Sequence, residues 1–424
     1  MTRMKDSGIK WIGEVPEDWG IKPIKHIFGA IGSGTTPDSS KVEYYDGNIN
    51  WLQSGDLYKK DYVYAVSKTI TDLGYRSSAS LRIYQAPFLA IAMYGASIGN
   101  LAISKIDACV NQAVAVLKGE ENIVRFAKLA LEISKTELIF AAQGGTQPNI
   151  NQVLIKNWVI PFPSEIEIKK IADFLDKKVA QLDKIKSLLE EQIKTLEDYR
   201  KSLIYETVTK GLDKTVPLKD SGVDWIGQIP EGWNVDRLGF HIYEINEKNI
   251  PQKSDFILSL TNKDGVIPYE EKGNQGNNSK DNLLDYKLAY PDTIVANSMN
   301  ILIGSVGYSN YFGCISPVYY VFKERKGTNL RFVNYIMATQ LFQKELRKYA
   351  NGILEIRLRV SSEDILKRFC AFPSLSDQDK IVSYLDKRTN QINQMIAIKK
   401  EQIENINKQR QTLIYDYVTG KRRV

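Results

Sequence analysis

The chain has 424 residues, of which 43% are hydrophobic, so it is long enough for two or three domains with cores of their own. Its net charge of +7 permits a polyanionic partner without requiring one. Three cysteines without paired spacing argue against a disulfide framework and a zinc site, and they favour a reducing, cytoplasmic setting.

The chain contains a long internal repeat. The segment KDSGIKWIGEVPEDWG (5–20) returns as KDSGVDWIGQIPEGWN (219–234), with 10 of 16 positions identical. A second repeat aligns FPSEIEIKKIADFLDKKVAQLDKI (162–185) with FPSLSDQDKIVSYLDKRTNQINQM (372–395) at a constant offset of 210. Internal repeats of this length indicate that one unit was doubled, and they determine the whole architecture. We expect the tryptophans of the short motif to be packing anchors at a domain–helix or subunit junction: Trp11, Trp19, Trp225 and Trp233.

The repeats divide the chain into a short motif, a variable block and a long helix, followed by the same three segments again. The two variable blocks have nearly equal lengths but share little sequence. The predicted boundaries are 1–20, 21–160 and 161–212 for the first copy, and 213–234, 235–371 and 372–424 for the second.

The first variable block combines predicted strands with a helical stretch. Runs such as NINWLQ, DYVYAV, APFLAIAM and ACVNQAVAVLK are typical of strands joined by polar turns. Residues 83–104 carry no charge, but Pro87 and the YGASIGN turn interrupt them, so we predict buried strands rather than a membrane span. Residues 122–142 have helical character. The N-terminal MTRMKDSGIK has no apolar run, which argues against a signal peptide.

The first long helix is predicted from Ile166 to about Gly211, a length of roughly 65 Å. Apolar residues repeat every seven positions, which is typical of a coiled-coil seam. Ser164 is a candidate N-terminal cap, and Gly211 a candidate C-terminal stop. The seam consists of Leu175, Leu182, Leu189, Leu196 and Leu203.

The second copy repeats this organisation. DFILSLT, DTIVAN, NILIGSVGYS and VYYVFKE are predicted strands, and residues 330–350 are predicted to be helical. The second long helix follows, with Ser374 as a candidate N-terminal cap, Lys399 interrupting its seam and Gly420 at its end. Its seam consists of Leu385, Ile392, Ile406 and Leu413. We predict that the two long helices pack antiparallel, since each alone would expose an apolar stripe.

The predicted fold class is therefore α+β: two mixed α/β domains separated by two long antiparallel coiled-coil helices, with a pseudo-twofold internal repeat. Two similar scaffolds with different loops suit a partner with two different short sites. The loops are rich in amides, hydroxyls and cations, side chains that contact base edges and phosphates, although any single polar loop can simply be solvated. The candidate DNA contacts are Ser33, Thr35, Thr36, Lys41, Gln53, Lys59, Lys60, Arg76, Tyr94, Ser97, Gln143, Thr146, Gln147, Asn149, Lys263, Lys272, Asn274, Gln275, Lys280, Asn297, Asn300, Arg357 and Arg359.

With these motifs the chain resembles the DNA-specificity (S) subunits of type I restriction–modification systems. The resemblance rests on DSGIKWIGEVPEDW and DSGVDWIGQIPEGW, the FPS-to-LDK helix starts, the LIYETVTKG and LIYDYVTGK ends, and the GSGTTPD…YYDGNINWLQSGDL run (32–57). It covers essentially the whole chain. One departure concerns the Glu-Gln pair that many members carry at the start of the conserved helix, of which only Gln378 keeps a trace.

The resemblance implies two target-recognition domains, each recognising one half of a bipartite, asymmetric site in double-stranded DNA. It also implies two methyltransferase (M) subunits docked on the helices and conserved segments, with restriction (R) subunits in the larger complex. S-adenosylmethionine, ATP and Mg are then expected on those partners, with no cofactor and no metal in this chain. We expect the helix pair to separate the two domains by about one DNA turn, roughly 34 Å.

The chain shows no convincing enzyme motif of its own. SPVY (316–319) lacks the second proline of amino-methyltransferase loops, and FGAIGSG (28–34) fails the GxGxxG spacing. Asp264 with Glu270 and Glu271 only faintly resembles a nuclease triad. We therefore predict a non-catalytic, sequence-specific DNA-binding subunit without membrane association. The alternatives are a protein-interaction scaffold on a coiled coil, or an enzyme with its own methyltransferase or nuclease activity.

Overall fold

The computed structural model describes residues 3–142, 149–262, 264–273, 282–352 and 358–424. The chain divides into two compact units. Unit 1 comprises Met1–Leu189 with Glu401–Val424, and unit 2 comprises Glu190–Lys400. Each unit therefore contains the start of one long helix and the end of the other.

Unit 1 holds the first motif and the first variable block. The motif forms a small hairpin, and a short strand after it pairs with the strand that leads into the long helix. The elements are β1 (Met4–Asp6), β2 (Glu14–Pro16), β3 (Gly20–Pro23), β4 (Ala30–Gly32), β5 (Tyr45–Leu52), β6 (Tyr62–Val63), β7 (Thr69–Ile70), α1 (Asp72–Arg76), β8 (Phe88–Ala92), β9 (Leu101–Ser104), β10 (Cys109–Val110), β11 (Val114–Lys118), α2 (Glu121–Ile133), α3 (Lys135–Ala141), α4 (Gln152–Asn157), β12 (Val159–Phe162) and α5 (Glu165–Lys210), which continues into unit 2.

Unit 2 repeats the same plan around the second motif. Its elements are β13 (Leu218–Asp220), β14 (Gln228–Pro230), β15 (Asn234–Arg237), β16 (Ile242–Ile245), β17 (Leu258–Thr261), β18 (Gly265–Pro268), β19 (Lys287–Ala289), β20 (Thr293–Asn297), β21 (Val306–Ser309), β22 (Gly313–Ile315), β23 (Tyr319–Glu324), α6 (Leu330–Met337), α7 (Gln340–Arg347), α8 (Ser362–Leu366), β24 (Phe369–Phe372) and α9 (Leu375–Val418), which continues into unit 1.

The main sheets of the two variable blocks share the order of four strands despite their different sequences, and the sheet of unit 1 has β6 as a fifth strand. The main sheet of unit 1 has the order β4-β11-β8-β9-β6, and that of unit 2 has the order β16-β23-β20-β21. The strand β8 is buried along its whole length, as is β20. The continuous apolar runs that predicted buried strands therefore form the centre of each sheet, covered by α2 in unit 1 and by α6 in unit 2.

Some details of the secondary structure differ from the sequence prediction. The predicted helix 122–142 is interrupted at Ser134, whose hydroxyl donates to the Ala130 carbonyl and accepts the indole N–H of Trp158. The predicted helix 330–350 is interrupted at Thr339, which caps the next helix. The predicted strand NILIGSVGYS begins as a 3-10 turn, because only its second half pairs with β20. Hydroxyl side chains that bond to local backbone favour the two helix breaks.

The ends of the long helices match the sequence prediction closely. The Ser164 hydroxyl accepts the Glu167 N–H at 3.3 Å, and the Ser374 hydroxyl accepts the Asp377 N–H at 3.2 Å. Gly211 and Gly420 follow the last turns with positive φ of 69° and 73°, a conformation that glycine adopts without strain. Serine caps and terminal glycines thus delimit both helices.

Within each unit the two long helices run antiparallel. In unit 1, the ring of Phe174 packs against that of Tyr417 with 4.6 Å between centroids. In unit 2, the ammonium group of Lys399 donates to the Gln192 amide oxygen at 2.6 Å. This polar contact accommodates the lysine that interrupts the seam. Leu175, Leu385 and Ile392 are buried, and the other seam residues are half-buried: Leu182, Leu189, Leu196, Leu203, Ile406 and Leu413. In the described part of the chain, none of the helices is both long and apolar enough to cross a bilayer.

Candidate nucleic-acid interface

In unit 1, polar side chains meet where β5 and β10 end. The two strands are parallel, and the N–H of Asn111 after β10 donates to the last carbonyl of β5 at 3.1 Å. Gln53 and Gln112 extend these two strands. Thr36, from the 32–41 loop, donates its hydroxyl to Oε1 of Gln112 at 2.7 Å. Three separate segments thus place amide and hydroxyl groups beside one another, which is the chemistry that contacts base edges.

A glycine holds the 32–41 loop against this edge. A Cβ at Gly34 would lie 1.8 Å from the Val110 carbonyl oxygen, so a larger residue would displace the loop. The Thr35 carbonyl accepts the indole N–H of Trp51 at 3.2 Å, which fixes the loop from the other side. Ser33 and Thr35 are half-buried and mainly shape the loop, whereas Thr36 is exposed.

Cationic side chains surround the same region. Lys59 and Lys60 are exposed directly after the 3-10 turn Ser54–Leu57, which packs against the 3-10 turn Gly95–Ser97. Lys41 is exposed and donates to the Tyr44 hydroxyl at 3.1 Å, an interaction that raises the lysine pKa and keeps the ammonium charged. The remaining described candidates of this unit are Arg76 and Asn149, which are exposed, and Tyr94 and Ser97, which are half-buried.

The sequence analysis did not select Asn111 or Gln112. Both lie inside the run ACVNQAVAVLK, which was predicted as one strand. The structure divides that run into β10 and β11, and the two amides occupy the turn between them. A polar Asn-Gln pair within an otherwise apolar run was the available signal for such a turn.

In unit 2, the turn after β20 carries Asn300, which is exposed. Arg359 is exposed beside it, with its guanidinium 3.7 Å from Sδ of Met299. Asn297 is only 6% exposed, and its Oδ1 accepts the Met299 N–H at 3.0 Å. The structure therefore places Asn297 behind the surface, where it shapes the turn that carries Asn300.

Two further polar side chains of unit 2 are described, and one of them, Asn262, contacts this turn. Lys272 is half-buried, with its ammonium 4.2 Å from the centre of the Tyr269 ring. Asn262, which the sequence analysis missed, is exposed and donates its amide to the Ile303 carbonyl at 3.1 Å. The other candidates lie outside the described residues: Gln143, Thr146, Gln147, Lys263, Asn274, Gln275, Lys280 and Arg357.

The candidate turns occupy matching places in the two units. The strand β8 leads through the 3-10 turn Gly95–Ser97 into β9, and β20 leads through the 3-10 turn Ile301–Ile303 into β21. Because four strands follow the same order in both sheets, Ser97 and Asn300 lie on equivalent turns of two similar scaffolds. Among the residues that the structure describes, no cluster of His, Cys, Asp or Glu side chains could hold a metal ion.

Comparisons with known proteins point to one family. Residues 16–196 match a family model described as the type I restriction modification DNA specificity domain. The MjaIX specificity subunit of Methanocaldococcus jannaschii is 29% identical over 263 residues, which are 58% of this chain and 56% of that protein. The MjaVIII specificity subunit of the same organism is 23% identical, with 97% of this chain and 94% of that protein covered.

The chain is similar to the specificity subunits of type I restriction–modification systems. Two solved structures share its fold. One, from a study of complex assembly and conformational transition of the type I R-M system, has a TM-score of 0.71 at 14% identity and covers 95% of this chain and 98% of its own. The HsdS subunit from Thermoanaerobacter tengcongensis has a TM-score of 0.52 at 15% identity and covers 96% and 98%.

The repeated motif binds the end of a long helix in each unit. In unit 1, the Tyr415 hydroxyl near the end of α9 donates to the Ile12 carbonyl at 3.0 Å. In unit 2, the Tyr205 hydroxyl near the end of α5 donates to the Ile226 carbonyl at 3.2 Å. Trp19 is buried, and a Cβ on Gly420 would lie 3.0 Å from its ring. Trp225 and Trp233 are also buried, and Trp11 is half-buried and stacks on Trp158.

Ion pairs attach the first variable block to both long helices in unit 1. Lys128 of α2 pairs with Asp61 and, at 3.3 Å, with Glu132. Arg410 of α9 pairs with Glu132 and, at 3.4 Å, with Asp183 of α5. Burial raises the pKa of the Asp183 carboxyl even though the Arg410 charge opposes the change. The loop that carries Lys59 and Lys60 is thus tied to the helix pair through Asp61.

Gln378, the residue that keeps a trace of the Glu-Gln pair, has a structural role at the start of the second long helix. Gln378 is 1% exposed, accepts the Asn329 N–H at 2.8 Å and donates to the Pro373 carbonyl at 3.1 Å. It therefore joins the start of α6 to the start of α9, while Ser374 provides the helix cap.

Proposed function

We propose that this chain recognises a bipartite, asymmetric site in double-stranded DNA, with one half-site contacted by each variable block. The observation that carries the proposal is the order of four strands that both main sheets share, combined with different side chains on the equivalent turns. A common scaffold gives both domains the same docking geometry, and different turns give them different base preferences. The proposed contact surfaces are the equivalent turns that carry Ser97 in unit 1 and Asn300 in unit 2, together with the segments around Gln112 in unit 1.

The chain itself is proposed to be non-catalytic. Methyl transfer to adenine would occur on methyltransferase subunits that bind S-adenosylmethionine, and restriction subunits would supply ATP- and Mg-dependent activities. The cytoplasm is the compartment where such a complex would meet DNA. The three thiols support this setting, since Cys109, Cys314 and Cys370 are all free and buried.

An exchange of residues 21–160 for the corresponding block of a known specificity subunit tests whether each variable block recognises one half-site. The exchanged complex, assembled with its methyltransferase subunit, should methylate sites in which one half is new and the other is unchanged. Sequencing of the methylated DNA reads both halves and the spacer together. A change in both halves, or in neither, would refute the assignment of one half-site to each block.

We further propose that the long helices dock two copies of one methyltransferase subunit. Each helix exposes an apolar pair: Ile185 and Leu188 on α5 are 47% and 48% exposed, and Met395 and Ile398 on α9 are 47% and 56% exposed. The pairs are related by the repeat offset of 210. Equivalent exposed apolar positions suit two copies of the same partner surface.

Native mass spectrometry of the assembled complex measures this stoichiometry. Leu188→Asp should reduce the number of bound methyltransferase subunits from two to one, and Leu188→Asp combined with Ile398→Asp should remove both. Tyr199→Asp is the matched control, because Tyr199 is 49% exposed on α5 but its repeat equivalent is a polar residue, Gln409. Retention of two partners by the double variant would exclude this docking surface.

A further inference from the structure

The two long helices carry an aspartate at the same repeat position, and each aspartate binds its own variable block. Asp176 on α5 and Asp386 on α9 stand in the matching segments FLDKK and YLDKR, separated by the repeat offset of 210. Neither residue lies on the candidate DNA surfaces. Both have their side chains partly shielded, with 35% and 25% exposed.

In unit 1, an arginine and a tyrosine of the first variable block bind Asp176, an arrangement that we call a clamp. The guanidinium of Arg125, on α2, approaches Oδ2 of Asp176 with Nε at 2.8 Å and Nη2 at 2.7 Å. The Tyr62 hydroxyl, on β6, donates to the same oxygen at 3.4 Å. Arg125 also pairs with Asp173 at 2.8 Å, and its side chain is only 15% exposed. Burial raises the pKa of Tyr62 to about 12, and the Asp176 charge adds to the effect, so the phenol remains a donor.

In unit 2, Asp386 receives a clamp of the same composition. Arg331, on α6, reaches Oδ2 of Asp386 at 2.9 Å, and the Tyr335 hydroxyl donates to Oδ1 at 2.7 Å. Burial raises the pKa of Tyr335 to about 12, and the hydrogen bond to Asp386 contributes in the same direction. One arginine and one tyrosine therefore bind the repeated carboxylate in both units.

The donors come from different places in the two blocks. In unit 1 the tyrosine lies on a strand and the arginine on α2, whereas in unit 2 both donors lie on α6. The variable blocks thus supply the same two functional groups from different elements to one repeated position of the long helices. An arginine–carboxylate contact with a second hydrogen bond restricts orientation as well as distance.

We propose that Asp176 and Asp386 are positioning residues, each of which sets the orientation of its own recognition domain on the helix pair and thereby the spacer lengths that the complex accepts. The proposal rests on the bipartite recognition proposed above. Base preference within each half-site is set by the turns and does not depend on these carboxylates. When one clamp is lost, its domain can reorient, and the complex then also binds DNA whose two half-sites are one base pair closer together or farther apart.

The test is selection from a randomised double-stranded DNA library by the complex of full-length chain and methyltransferase subunit, followed by sequencing. The Asp176→Asn and Asp386→Asn complexes should each enrich the wild-type half-sites. Their preference for the wild-type spacer over spacers one base pair different should fall about tenfold, the lower end of the range for a lost hydrogen bond to a charged group. Asp176→Glu, which retains the charge, should restore part of the preference. Asp198→Asn is the control, because Asp198 is exposed on α5 and pairs only with Lys201 of the same helix among the described contacts.

The outcomes separate the two proposals. If the wild-type complex enriches no bipartite site, bipartite recognition fails and the positioning role fails with it. If it does enrich one, and the two asparagine variants keep the wild-type spacer preference, the positioning role alone is overturned. It is also overturned if spacer preference, base preference and thermal stability decline in the same proportion, since that pattern indicates general destabilisation.

Discussion

Replacement of Gly420 by alanine should destabilise the chain more than the same change at other glycines of positive φ. At Gly420, φ is +73°, which costs about 1 kcal/mol for a residue with a side chain. A Cβ there would also lie 2.5 Å from Cδ of Pro16 and 3.0 Å from the Trp19 ring. Both neighbours are held by the buried motif, so relief of the overlap should add about 1–3 kcal/mol. We therefore expect a total loss of about 2–4 kcal/mol in the free energy of unfolding.

Two other glycines provide graded controls for this experiment. Gly222 has φ +69° and an open surrounding, so Gly222→Ala should cost only about 1 kcal/mol. At Gly211 a Cβ would lie 3.1 Å from the Trp233 ring, which predicts an intermediate loss. Equilibrium urea unfolding, monitored by tryptophan fluorescence and circular dichroism, measures all three. A Gly420→Ala loss no larger than that of Gly222→Ala would refute the proposed packing of motif against helix end.

Three further predictions concern charge and specificity. Burial lowers the pKa of His241 below 6.5 although Asp236 opposes this, so the stabilising contribution of the neutral imidazole is complete above pH 6.5 and declines as the pH falls. Between pH 7.5 and 5.5 the wild type should therefore lose more free energy of unfolding than His241→Gln. Equal losses would contradict this prediction. Gln112→Ala should lower discrimination between bases at one position of one proposed half-site by about 1–3 kcal/mol in competition binding. Lys60→Ala should instead weaken binding to all DNA sequences alike and reduce the slope of log affinity against log salt concentration by about 1. A uniform effect of Gln112→Ala on all sequences would exclude base contact. Arg410→Met leaves Glu132 and Asp183 without this partner and should lower the free energy of urea unfolding by about 1–3 kcal/mol. The control Lys408→Met, which removes an exposed ion pair, should lower it by under about 0.5 kcal/mol. Similar losses would show that the Arg410 ion pairs do not stabilise unit 1.

The helices could be predicted from sequence because their determinants are local. Heptad spacing, the serines at 164 and 374, and the glycines at 211 and 420 all act within one or two turns of the helix. The interruption at Ser134 could not be predicted in this way, because it depends on the indole of Trp158, which is 24 residues away. The common sheet order was equally hidden, since the two blocks reach it with unrelated sequences.

The candidate site was harder to predict than the fold. Loop chemistry correctly drew attention to Thr36 and Asn300 as exposed polar residues, but it also selected Asn297, which is buried. Gln112 was missed because strand-like neighbours concealed its turn. The roles of Asp176 and Asp386 depend on arginines 51 and 55 residues distant in sequence, and no local pattern identifies such partners.

The seating of each helix end on a repeated motif has a consequence for how such a gene can change by recombination. The Tyr–carbonyl contact is made between sequence segments that both copies share, in unit 1 by α9 with the first motif and in unit 2 by α5 with the second. A crossover within the shared motif and another near the FPS segment would replace an entire variable block. Every helix-to-motif contact would remain native in the recombinant. Crossovers within the repeated segments could therefore replace one variable block in a single event without rebuilding the scaffold.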